Sequence, residues 1–192
     1  QGRMTLGPLM VDIAGKELEE ASATEIVRWA AETFGDRVAV TSSMADAVVA
    51  HLVSTVKPGV DVLFLNTGYH FAETIGTRDA VAAVYDVHVL DVAPTLSIAQ
   101  QDIAFGKDLW ARDPDQCCAR RKVAPLNNAM RNYDAWITGV RRDETPARAN
   151  TPVVSWDATR GKVKICPIAR WTQTDVDAYV AEHGVLLNPL LM

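Results

Sequence analysis

Hydrophobic and polar positions along the chain alternate between two periods. Ser22 and Glu25 stand at capping-box spacing ahead of Ile26, Val27, Trp29 and Ala30, and Gly35 follows where the run ends, which predicts a first helix. "RVAVTSS" is then apolar enough for a short strand, "MADAVVAHLVSTV" predicts a helix, Pro58-Gly59 a turn and "VDVLFLN" a second strand. "HFAETIGTRDAVAAVY" reads as helix and "VHVLDV" as a third strand. Further on, "YDAWITGV" and "VKICPI" are strand candidates, and Thr172 with Asp175 caps a last helix, "TDVDAYVAEHG". Apolar strands separated by helices belong to a parallel sheet covered on both faces. No repeat or low-complexity linker interrupts the pattern, so the expected organisation is a single α/β domain over residues 1–192, with residues 1–20 a loosely ordered N-terminal segment.

Composition narrows the function classes. Hydrophobic residues make up 48% and charged residues 22%, as in a globular protein with a real core. A net charge of -5 argues against a general nucleic-acid binder. No apolar run approaches the ~20 residues a membrane span needs, and the start "QGRMTLGPLMVDIAGKELEE" lacks the order of a secretory signal, so a cytoplasmic location is expected. Three cysteines do not make a disulfide framework. The apolar ending "VLLNPLLM" reads as a chain shortened at its C-terminus.

Ligands of open parallel sheets sit beyond the carboxyl ends of the strands. After the first strand comes Thr41-Ser42-Ser43-Met44-Ala45-Asp46, whose hydroxyls and amides suit an anion or simply cap a helix. After the second comes Asn66-Thr67-Gly68-Tyr69-His70. Here Gly68 brings backbone close to a ligand and Asn66 bonds a base or ribose, or the segment is only a turn with glycine at positive φ. His70 is placed to face a nucleotide, whereas His51, His88 and His183 lack metal-ligand spacing and read as surface or packing residues. After "DAWITGV" come Arg141, Arg142, Asp143, Glu144 and Arg148; arginine forks suit phosphate or sulfate oxygens, and a solvated loop with internal ion pairs is the other reading.

The stretch "CCARRKVAPL" sets Cys117 beside Cys118. A disulfide between neighbours is too strained to serve as a structural bridge, so metal ligation is the better use for the pair. Zinc or an iron–sulfur cluster takes four ligands. Cys166 lies in an apparent strand and reads as a buried apolar thiol, which leaves a four-thiolate site incomplete. Arg120, Arg121 and Lys122 favour thiolates electrostatically, although the pair also reads as two ordinary helix cysteines.

Together "TSSMADAV", "VLFLNTGYHFAETI", "CCARRKVAPL", "WITGVRRDETPARA", "VKICPIARWTQTDVDAYV" and "LLNPLL" resemble the assimilatory sulfonucleotide reductases. They are most like the adenylyl-sulfate (adenosine 5'-phosphosulfate) reductases of actinobacterial type, from about Val38 to Leu190. The resemblance implies a Rossmann-like, adenine nucleotide alpha-hydrolase-like fold related to the PP-loop enzymes. It implies that Ser42, Ser43 and Asp46 hold the sulfonucleotide, that Asn66, Thr67 and Gly68 line the nucleotide pocket, and that Arg141, Arg142 and Arg148 cover the phosphosulfate. Cys117 and Cys118 become two of the four ligands of a 4Fe-4S cluster, with Lys122 between cluster and substrate and Arg121 beside it.

The implied activity is thioredoxin-dependent reduction of adenylyl sulfate to sulfite and AMP, through a thiosulfonate on a C-terminal cysteine that this chain does not include. The chain by itself is then expected to hold nucleotide without completing the reaction; adenylyl sulfate, AMP and thioredoxin are the expected partners, and self-association stays open. Two departures stand out: Asn66 replaces the acid of the usual Leu-Asp-Thr-Gly, and the later Cys-x-x-Cys is missing. Alternatives are a phosphoadenylyl-sulfate reductase, against which the cysteine pair counts, and a nucleotide-binding form without catalysis. An ATP pyrophosphatase is a third, but "TSSMADA" lacks the glycine pair of Ser-Gly-Gly-x-Asp-Ser.

Overall fold

The computed structural model describes residues 6–45 and 47–191. The short apolar segments become β1 (Val38–Ser42), β2 (Val60–Leu65), β3 (Val87–Val92), β4 (Ala135–Ile137), β5 (Val154–Asp157) and β6 (Lys162–Ile165). They form one six-stranded sheet in the order β3-β2-β1-β4-β6-β5. All neighbours pair in parallel except β5 with β6. Val40 lies in register with Val62 on one side and Ile137 on the other, at the centre of the sheet. Side chains alternate across it: Val38, Val40, Phe64, Ile137 and Ile165 enter a large core, while Ala39 and Leu63 enter a smaller one with Met130 and Tyr133.

Among the described residues nine α-helices accompany the sheet: α1 (Pro8–Glu17), α2 (Ala23–Phe34), α3 (Val48–Val56), α4 (Ala72–Val84), α5 (Ile98–Phe105), α6 (Leu109–Arg112), α7 (Pro114–Cys118), α8 (Ala124–Ala129) and α9 (Gln173–His183). The capping boxes read from Ser22 with Glu25 and from Thr172 with Asp175 open α2 and α9.

Four features differ from the sequence-based expectation. Residues 8–17 are helical rather than loosely ordered: Pro8 starts α1, and Gly15 lets it seat on β5, because a Cβ there would stand 2.5 Å from the Val154 carbonyl oxygen. The sheet is not wholly parallel, since "TPVVSWDATRGK" turns back on itself, with the Gly161 amide donating to the Asp157 carbonyl at 2.8 Å. The helix expected from Met44 begins only at Val48. Met44 has φ +57° and its amide donates to Ser42 Oγ, so the chain after β1 is a loop. Finally, α5 to α8 fill a region with no assigned element, and α7 runs into α8 through a π turn, Ala119–Val123. The wider turn accommodates Pro125, whose ring has no N–H to give and would crowd the carbonyl one turn back.

Candidate functional site

The chain runs outward from β1 to β2 to β3 and then returns to the other side of β1 as β4, so the carboxyl ends of β1 and β4 flank a topological switch point. A cavity of about 460 Å³ opens there. Ser42 and Ser43 wall it from β1, Thr67 and His70 from β2, Thr138 and Gly139 from β4; Lys122, Arg141 and Arg148 bring positive charge. Gly139 sits at a close approach, a Cβ there lying 3.3 Å from Val49 Cγ2. The sequence pattern marked the β4 end only through the arginines that follow it, so Thr138 and Gly139 went unnoticed.

In the loop after β1, Ser42 Oγ accepts from the Met44 amide at 3.1 Å, which folds the chain over the fully buried Met44 side chain and leaves Ser43 exposed. Asp46, assigned to the sulfonucleotide from the sequence, lies outside the described residues. After β2, Asn66 Oδ1 accepts from the Gly68 amide at 3.2 Å and Thr67 Oγ1 from the Tyr69 amide at 3.3 Å, two side-chain turns in succession. Gly68 sits at φ +85°, and a Cβ would meet Arg121 Nη2 and Ile98 Cδ1 at 3.0 Å. Thr67 reaches the cavity wall; Asn66 and Gly68 shape the turn behind it. Asn66 Nδ2 also faces Asp91 at 3.4 Å, beside the Arg78–Asp91 ion pair, a place where an amide avoids the repulsion an acid would meet. His70 Nε2 lies 2.6 Å from the Leu65 carbonyl oxygen, which assigns the proton to Nε2, and its ring packs on Phe64.

The arginine loop divides. Arg141 donates through Nε to Asp143 at 2.9 Å and through Nη2 to Gln173 at 3.0 Å; Arg148 pairs with Glu144 at 3.3 Å. Both line the cavity with Glu144 between them, so an entering anion competes with that carboxylate. Arg142 is not brought to the cavity. Its Nη1 and Nη2 donate to Glu19 at 2.7 and 2.9 Å and its Nε to the Thr151 carbonyl, fastening the loop to the segment after α1.

The hydrogen bond from Arg142 holds the Glu19 carboxyl below the usual carboxylate range. A depressed pKa contributes stability above the unfolded value and loses it as pH falls through the folded one. Arg142→Ala is therefore expected to cost no more than ~1 kcal/mol near neutral pH, this pair being partly exposed. The ion-pair share of that cost should shrink as pH falls below the usual carboxylate range and Glu19 protonates, while the bond to the Thr151 carbonyl persists, with nucleotide affinity unchanged at neutral pH; urea denaturation at neutral and acid pH with parallel calorimetry checks this.

Arg121 and Lys122 are neighbours with opposite fates. Lys122 is exposed, lines the cavity, and has no hydrogen-bond or ion-pair partner among the described residues. Arg121 is only 3% exposed. Its guanidinium donates to the carbonyls of Thr67 and Leu96 and to Gln101 Oε1, and it stacks over Tyr69. It braces the β2 loop from behind rather than lining the cavity, because one residue's rotation on a helix separates a solvent-facing position from an interior one.

Cys117 is buried and accepts from Gln101 Nε2 at 3.9 Å, and burial together with Cys117 pushes up the pKa of the Tyr69 hydroxyl. Cys118 is exposed. Cys166 is fully buried, and burial pushes its thiol up to about 11. Among the described residues no group of three or more histidine, cysteine or acidic side chains stands at metal-binding spacing. Adjacent thiols followed by a cationic turn fit thiolate ligation in kind, and they supply two donors of the four a cubane cluster takes.

The sequence profile of the phosphoadenosine phosphosulfate reductase domain matches residues 37–192. The chain belongs to this family. Among its members, the adenosine 5'-phosphosulfate reductase of Streptomyces coelicolor is 65% identical over 182 residues, covering 95% of this chain and 77% of that protein. The adenosine 5'-phosphosulfate reductase of Mycolicibacterium smegmatis is 58% identical over 175 residues, covering 91% and 74%. The phosphoadenylyl-sulfate reductase of Candida auris, solved as a phosphate complex, superposes with a TM-score of 0.83 at 30% identity over 99% of this chain and 93% of that one. Candida glabrata FMN adenylyltransferase, at 10% identity and TM-score 0.60, shares the fold alone. The family assignment and the α/β fold expected from the sequence are thus borne out, the antiparallel β5 being the departure from the expected parallel sheet. The family match starts at Arg37, so α1, α2 and the Glu19 clasp lie outside it, while every cavity residue named above lies inside.

Proposed function

We propose that the cavity binds adenosine 5'-phosphosulfate and that the protein reduces it to sulfite and AMP in sulfate assimilation. The observation that carries this reading is that Lys122, which has no partner among the described residues, lines the same switch-point cavity as Arg141, Arg148, Ser42 and Ser43, a donor set suited to a phosphosulfate. Its likeness to the Streptomyces coelicolor reductase supports the same substrate.

A cysteine thiolate attacks the sulfur, a sulfur–sulfur bond forms, the bond from sulfur to the bridging oxygen breaks, and AMP leaves with the electron pair. The dithiol of thioredoxin then displaces sulfite and ends as a disulfide. Attack of one anion on another needs positive charge at the transition state, which Lys122 and the two cavity arginines supply. Cys166 is unsuited as nucleophile, being sealed from solvent with a raised pKa. We place the nucleophile in the part of the relatives' length that this chain does not cover. Cys117 and Cys118 would hold a 4Fe-4S cluster with two further thiolates; when bound, such a cluster adds a fixed charge centre and rigidity beside Lys122. No helix among the described residues is long and apolar enough to cross a membrane, and reduced thiols of this kind suit the cytoplasm.

Calorimetric titration with adenosine 5'-phosphosulfate, its 3'-phosphorylated form and AMP tests the reading. Tightest binding of the first is expected; a preference for the 3'-phosphorylated ligand would reassign the substrate. Iron and sulfide assay after anaerobic purification of the protein at its relatives' full length should find about four irons.

A further inference from the structure

The segment after α9 meets the loop after β1 and the helix α4. Asn188 is almost completely buried at 4% exposure, and each polar atom of its side chain is engaged. Nδ2 donates to the Met44 carbonyl oxygen at 3.3 Å and to Thr74 Oγ1 on α4 at 2.9 Å, while Oδ1 accepts from the Leu190 amide at 3.1 Å. Its own amide donates to the Ala45 carbonyl oxygen at 3.3 Å. Two residues earlier, the Leu186 carbonyl accepts from the Ala47 amide at 3.1 Å, and the Leu186 amide donates to Tyr85 Oη at 3.0 Å. Two successive carbonyls of the loop are therefore held from behind by a single residue that does not itself line the cavity.

We propose that Asn188 is a positioning residue that aims the loop after β1 at the ligand's anionic group; this rests on the reading that the loop holds a sulfonucleotide. A trans peptide unit points its carbonyl and its N–H in opposite directions. Directing the Met44 carbonyl at Asn188 turns the Ala45 N–H away from Asn188, and Ala45 lines the cavity. The conformation held is one the chain would not choose alone, because Met44 carries a full side chain at φ +57°. Thr74 fixes the other end of the clamp, so the loop is referred to α4, the helix that follows the nucleotide-side turn.

The test compares two ligands that differ only in the anionic group, adenosine 5'-phosphosulfate and adenosine, titrated by calorimetry into wild type, Asn188→Ala and Thr74→Val, with a thermal melt of each. Asn188→Ala is expected to lose about tenfold or more in affinity for the sulfonucleotide while adenosine binding stays within about twofold. Thr74→Val, which leaves α4 intact and frees only one end of the clamp, should show a loss of the same selective kind, about threefold. Equal losses for both ligands, tracking a lower melting temperature, would reduce Asn188 to a packing residue and overturn the proposal, as would unchanged sulfonucleotide affinity. Should Asn188→Ala fail to fold, Thr74→Val decides by the same criterion. A wild-type chain that binds the two ligands alike or not at all overturns the site assignment itself, a result separable from any behaviour of the variants.

Discussion

Lys122→Ala is expected to weaken binding of adenosine 5'-phosphosulfate by about 10- to 100-fold, the range set by losing one charge-assisted hydrogen bond of roughly 1.5–3 kcal/mol. The other cavity cations cannot compensate. Arg141 leans on Asp143 and Gln173, and Arg148 on Glu144, so part of their charge is already answered within the protein. Lys122 has no such partner among the described residues. Because it is exposed, its removal should leave the melting temperature unchanged and also flatten the dependence of affinity on salt. Lys122→Arg, which keeps the charge, should retain most of the binding. Calorimetry at two salt concentrations reads both effects, and wild-type affinity in Lys122→Ala would remove this residue from the site.

Arg121→Ala should instead strike stability, by about 3–5 kcal/mol. It leaves three acceptors unanswered, the buried Thr67 carbonyl and Gln101 Oε1 and the partly buried Leu96 carbonyl, the buried ones each worth ~1–3 kcal/mol when orphaned, and opens a cavity beneath the β2 loop. Arg121→Lys is not a conservative repair, since an ammonium cannot span three acceptors disposed around a planar fork. Arg121→Met restores volume without donors and should recover only the packing share. A urea midpoint for Arg121→Ala equal to wild type would show that the β2 loop is held by Gly68 and the side-chain turns alone.

This contrast between adjacent cations shows where sequence reading succeeds and where it stops. The strands were legible because apolar runs such as "VDVLFL" are covered on both faces, and α2 and α9 because Ser22 with Glu25 and Thr172 with Asp175 cap them locally. Arg121 and Lys122 look alike in "ARRK", and only the carbonyls of Thr67 and Leu96, far away in sequence, decide which is interior. Arg142 followed the same rule, its partner being Glu19, 123 residues earlier. The start of α3 was placed too early because "MADAVVAHL" has helical composition, while the left-handed backbone at Met44 is imposed by packing. α1 escaped notice because Leu9, Met10 and Ile13 remain exposed and give no amphipathic stripe to read. Asn188 did carry a usable signal, a lone amide between Leu187 and Pro189 in an apolar run, since a buried polar side chain in such a run needs partners.

The seam between β1 and β4 also governs the order of events at the ribosome. The strands β1, β2 and β3 follow one another closely, but β1 meets β4 only after a long excursion, sealed below by an ion pair between Arg37 and Asp134, 97 residues apart. High sequence separation makes such pairings late in folding. A nascent chain therefore displays a three-stranded ribbon while its Thr138 wall is still unsynthesised, and Met44 must wait for Asn188, a further stretch of synthesis away. The cavity is complete only once Thr138, Arg141 and Arg148 have joined the earlier Ser42, Thr67 and Lys122, so a ligand that needs both walls favours the closed seam over the open one.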